Sequence, residues 1–68
     1  MSHPTLRAEV RRELERAVDS CESCITHLVQ AAKLCEVAKR VESGFTLQAL
    51  GELIARTKVM IEQFRESI

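Results

Sequence analysis

An all-α fold, an antiparallel helical hairpin, is what this chain predicts from three observations. Helix breakers are scarce, apolar residues recur with a heptad period on both sides of one break, and the charges fall on the remaining faces. Only two glycines and one proline occur in 68 residues, so few positions force a helix to stop. Pro4 stands at the front edge, and Ser43-Gly44 is the one strong internal break.

The first helix is expected over about residues 5–42. Thr5 suits its N-cap, because the hydroxyl can accept a bond from a free amide of the first turn. Gly44 suits its end, since glycine takes the left-handed conformation that commonly closes a helix. A tight turn at Ser43-Gly44 then leads to a second helix over about 47–67, with Thr46 as N-cap. Phe45 and Leu50 are spaced for a hydrophobic staple across that cap. Residues 1–68 thus read as a single helical-hairpin domain. Asp19 with Glu22 imitates a capping box, which leaves three helices as the rival arrangement.

The heptad favours the continuous helix. Leu14, Cys21, Leu28 and Cys35 fall on one repeat, and Val10, Ala17, Cys24, Ala31 and Ala38 on the other, with Val18, Ile25 and Ala32 widening the seam. In the second helix Leu47, Ile54, Ile61 and Ile68 alternate with Leu50, Thr57 and Phe64, supported by Leu53 and Met60. Charges pair at helical spacing elsewhere, as in Arg11 with Glu15, Glu36 with Arg40, Glu52 with Arg56 and Lys58 with Glu62.

Composition excludes several classes of function. Ten basic against ten acidic side chains leave no net charge, so no overall field draws the chain to nucleic acid or an anionic membrane. No apolar run spans a bilayer, and the first residues lack the apolar stretch of a secretion signal. A cytoplasmic location is the expectation, and three cysteines without regular spacing fit reduced thiols. Glycine-rich phosphate loops, a nucleophile elbow and H-E-x-x-H are all missing, and two helices offer little concavity, so an enzyme is not expected.

The stretch CESCITHLVQAAKLC gathers the three cysteines beside His27. On a helix Cys21, Cys24 and Cys35 lie within roughly 60° of one another, on the side of Leu14 and Leu28, where small apolar core residues belong. Cys35 stands about 21 Å along the helix from Cys21, too far to share one ion within the chain. Cys21 and Cys24 alone leave open a soft ion such as Cu(I), or thiol chemistry. His27 points away from the seam and reads as a boundary histidine, and His3 as part of a loose start. No metal, cofactor or catalytic residue is assigned.

Unequal arms supply the functional expectation. A first helix of about 37 residues would reach roughly 55 Å and a second of about 21 roughly 31 Å. Leu6, Val10, Leu14 and Val18 are then left without an intrachain cover, and Leu34, Val37 and Val41 form a second row opposite the seam. Apolar rows on so small a protein mark a protein interface. The partner is either a second copy, giving a homodimeric four-helix bundle, or an amphipathic helix of another protein covered by a chaperone or adaptor.

A chain of this length, helical from LRAEVRRELERAV through a glycine turn to LQALGELIARTKVMIEQF, resembles the small E-type co-chaperones of type III secretion needle subunits. The resemblance implies an antiparallel hairpin that works with a second, repeat-type chaperone to hold a polymerisation-prone needle protein in the cytosol. It implies occlusion rather than chemistry as the mechanism. Two departures accompany it: a shorter connection between the helices and three cysteines along the seam.

Overall fold

The computed structural model describes residues 4–68, with side chains from Leu6 onward. Two helices, α1 (Pro4–Val37) and α2 (Val41–Ser67), form an antiparallel hairpin with principal extents of 57 × 14 × 11 Å. Proline suits the first helical position, where its missing amide has no intrahelical partner in any case. With the helix already begun at Pro4, Thr5 falls inside it rather than at its N-cap. The Thr5 side chain and His3 lie outside the described residues. Asp19 and Glu22 sit within α1, so the first helix is continuous.

The turn differs from expectation. It lies at Ala38, Lys39 and Arg40, and α2 runs straight through Ser43-Gly44. Lys39 takes φ 60, the left-handed conformation. Its amide donates to the Glu36 carbonyl (3.1 Å) and the Arg40 amide to the Cys35 carbonyl (2.7 Å). Those two bonds make a Schellman closure, with lysine at the position glycine usually holds. Gly44 instead donates its amide to the Arg40 carbonyl at 3.0 Å, in the first turn of α2. Thr46 is likewise interior, its hydroxyl bonded to the Glu42 carbonyl (3.1 Å) rather than capping an end.

The shift shortens α1 to 34 residues and lengthens α2 to 27. A difference of seven residues amounts to about 10 Å, so the overhang is much smaller than the sequence suggested.

The half-buried positions show which residues meet. On α1 buried Val18 and half-buried Leu14, Cys21, Ile25, Leu28, Ala32 and Cys35 form one row in alternating steps of four and three, with Ala17 and Ala31 half-buried beside it. On α2 Gly44, Leu47, Gly51, Ile54, Lys58, Ile61, Arg65 and Ile68 form another in alternating steps of three and four, with Ala55 and Glu62 half-buried beside it. Both rows follow heptad spacing. In heptad letters, position a is Val18, Ile25 and Ala32 on α1 and Gly44, Gly51, Lys58 and Arg65 on α2. Position d is Leu14, Cys21, Leu28 and Cys35, facing Leu47, Ile54, Ile61 and Ile68. The expected companions Leu50, Thr57 and Phe64 are exposed on a flank of α2.

Two of the seam positions on α2 are glycines. A Cβ built on Gly44 would lie 3.8 Å from the Cys35 Cβ, and one on Gly51 would meet nothing within 4 Å. Both are helical residues inside the seam, and an alanine methyl fits at either. Helix-interior glycine costs roughly 0.5–1 kcal/mol relative to alanine. Replacing Gly44 by Ala is therefore expected to raise stability by about that amount in denaturant melts. A loss of similar size would show a left-handed residue at position 44 and a turn at Ser43-Gly44 after all.

Candidate docking interface

Two antiparallel helices leave two broad faces, one on each side of the plane that contains them. The flanking heptad positions e and b of both helices share one face. A groove of about 1020 Å³ shows this, since its walls include Val29, Lys33 and Glu36 of α1 with Val41, Phe45, Gln48, Glu52 and Ala55 of α2. Positions g and c of both helices consequently share the opposite face.

Charge divides these faces sharply. On the e/b side stand Arg12, Glu15, Asp19, Glu22, Lys33, Glu36, Glu52, Glu62 and Glu66. On the g/c side, over residues 6–67, the only ionised side chain is that of Glu13. The rest of that face is Leu6, Val10, Ala17, Ser20, Cys24, His27, Ala31 and Leu34 from α1. From α2 come Ser43, Thr46, Leu50, Leu53, Thr57, Met60, Phe64 and Ser67. Leu6, Val10, Leu34, Leu50, Leu53, Met60 and Phe64 are all exposed, Leu34 at 69 % and Met60 at 67 %.

Three of the four α2 hydroxyls on this face are satisfied within the helix. Thr46, Thr57 and Ser67 donate to the carbonyls of Glu42 (3.1 Å), Leu53 (3.0 Å) and Phe64 (2.7 Å). Hydroxyls bonded this way lose less when covered than free ones would, because their donors already have partners. The exposed row of large apolar side chains thus lies among residues that carry almost no ionised group.

The residues expected to bind a partner are redistributed. Val18, at 6 % exposure, is the most buried of the described side chains and belongs to the hairpin's own core, and Leu14 is half-buried beside it. α2 is longer than expected and reaches their level. Leu6 and Val10 stay exposed on the g/c face. Leu34, Val37 and Val41 do not form one row, because the turn separates Val41 from the others. Leu34 lies on the g/c face, Val37 on the outer edge at 82 % exposure, and Val41 in the opposite groove.

Leu50, Leu53, Met60 and Phe64 were assigned to the hairpin seam from the sequence and in the structure lead the exposed row. Their own spacing of threes and fours was the available signal: α2 carries two heptad stripes, and only one can face α1.

Among the described residues two ion pairs form. Arg16 meets Glu13 at 3.3 Å on exposed surface, and Lys58 reaches across to Glu22 at 2.9 Å. The sequence had paired Lys58 with Glu62 on its own helix. A lysine at a seam position has its stem between the helices and sends its ammonium to the rim, where Glu22 waits. That hydrogen bond to Glu22 is the first cause of a pKa above the usual 10.5. A raised pKa means the pair's contribution is fully present below pH 10.5 and fades as pH climbs through the folded value.

Cys21, Cys24 and Cys35 are free thiols. Cys21 and Cys35 lie in the seam as expected, whereas Cys24 is exposed on the g/c flank and so leaves the core assignment. No group of three or more His, Cys, Asp or Glu among the described residues is placed to hold a metal ion. No described helix is long and apolar enough to cross a membrane. Comparisons with protein-family models, curated proteins and solved structures found no match.

Aspartate at Val18 would place a carboxylate at the best-buried point of the seam. Val18→Asp is expected to abolish most of the helical circular dichroism, whereas Val10→Asp on the open flank leaves it intact. Equal loss in both would show that the overhanging turns of α1 are covered within the chain.

Proposed function

We propose that the chain is a non-enzymatic protein-interaction module of the chaperone or adaptor kind, whose g/c face covers the apolar side of helices from another polypeptide. The distribution of charge carries this reading: one carboxylate on the g/c face against nine ionised groups on the other. A face left bare to solvent gains nothing from being emptied of charge, whereas a covered one avoids burying unpaired ions. Helix-in-groove docking is the mode that fits, because two parallel rows of side chains define a shallow trough along the rod. A role beside a type III secretion needle subunit, or beside that subunit's second chaperone, is the specific form that the sequence resemblance suggests.

Occlusion would be the whole mechanism. Each fully covered Leu, Met or Phe contributes roughly 1.5–3 kcal/mol, so three or four of them are comparable with the net stability of a small domain. Binding would then add stability to a hairpin that already folds.

The test compares two charge placements. Leu53→Glu with Met60→Glu puts carboxylates on the g/c face, and Val59→Glu puts one on the opposite face. All are solvent-exposed helical positions, so helicity should persist in each. Capture of helical partners from the native cell extract is expected to fall at least about tenfold for the first variant, from one lost apolar contact alone. It should be unchanged for the second. The reverse ordering would remove the g/c face from the account.

A further inference from the structure

We propose that the g/c face takes a second copy of this chain, with a two-fold axis along the rod that joins two hairpins into a four-helix bundle, both turns at the same end. This rests on the reading of that face as a docking surface and names what covers it until the helices of another polypeptide displace the second copy.

Three observations favour a second copy. The first is charge. A two-fold axis sets a face against itself, and like charges placed opposite one another are destabilising. The g/c face brings a single carboxylate per copy, at residue 13 near its end, whereas the e/b face would bring nine ionised groups. The second is area. A face 57 Å long and 14 Å wide spans roughly 800 Å² in projection, about what each partner contributes to a standard stable interface.

The third is shape. The α1 side of the face carries the small residues Ala17, Ser20, Cys24 and Ala31 with His27 among them, while the α2 side carries Leu50, Leu53, Met60 and Phe64. Lys58 lies opposite Glu22 and Gly44 opposite Cys35. That register sets Phe64 level with Ala17, Met60 with Ser20, Leu50 with Ala31 and Leu53 with His27. An axis along the rod keeps these levels and lays α2 of one copy on α1 of the other, so Phe64, Met60 and Leu50 each meet a small residue. An axis across the rod would pair α1 with α1 and α2 with α2, stacking small on small and large on large. The chain carries both halves of a complementary surface, which is what an isologous interface requires.

Cys24 reports on this directly, being exposed in the hairpin and central in the proposed interface. Sedimentation equilibrium of the purified native chain is expected to give twice the monomer mass. Maleimide labelling of Cys24, read by peptide mapping, should slow about tenfold as the protein is concentrated from mostly monomer to about nine-tenths dimer, in proportion to the free fraction. The Leu53→Glu, Met60→Glu variant should sediment as a monomer and label at the fast rate. Oxidation of the native chain mixed with the C24S, T57C variant, which has no intrachain pair to form, should link Cys24 of one copy to position 57 of the other.

A monomer at all concentrations with Cys24 freely reactive would overturn the proposal. If that monomer still lost partner capture on Leu53→Glu with Met60→Glu, the docking face would stand and only its occupant would be wrong. A dimer in which Cys24 labels at the monomer rate would place the contact on another face, and a Cys24 to Cys24 link without the 24 to 57 link in that mixture would overturn the axis.

Discussion

Two helices side by side can bury only what lies between them, and every other feature of this molecule follows from how little that is. Of the described side chains only Val18 is buried, at 6 % exposure. The α2 half of the seam spends its a positions on Gly44, Gly51, Lys58 and Arg65, none of which brings an apolar side chain to the contact. Leu47, Ile54, Ile61 and Ile68 carry the contact from that side almost alone. Much of the apolar surface therefore stays outside the seam.

Where that surface lies follows from the seam. Gly44 and Gly51 stand in the row of α2 that faces α1, and the row that would have competed for the seam is rotated outward. Leu50, Leu53, Met60 and Phe64 gather on one flank, and antiparallel packing brings the small-residue flank of α1 onto the same face. The opposite face collects the charges, including Glu22, which takes the ammonium of Lys58. One seam choice thus sets the core, the groove near the turn and the polarity of both faces.

The hairpin itself was legible in the sequence. Scarce breakers and the repeats at Leu14, Cys21, Leu28, Cys35 and at Leu47, Ile54, Ile61, Ile68 are found as read, with Cys21 and Cys35 in the seam. The turn was not legible, because Lys39 adopts a conformation that glycine usually signals, while Gly44 serves helix packing. That displacement cascaded. It removed most of the supposed overhang, returned Val18 to the core and split Leu34, Val37 and Val41 among different sides. The companion row on α2 was misplaced for another reason: a helix with two heptad stripes does not reveal which of them faces its neighbour. Resolving that needed the small size of the glycines to be weighed against the hydrophobicity of Leu50 and Phe64.

If the hairpin is half of a bundle, its stability belongs to the assembly. Association that favours only the folded chain raises the melting temperature with protein concentration, through mass action. Thermal unfolding followed by circular dichroism over a hundredfold range of concentration measures this with the native sequence alone. The account predicts a midpoint that rises steadily with concentration. A midpoint that stays fixed over that range, with a cooperative transition, would show that the thin seam suffices by itself and would contradict the central claim.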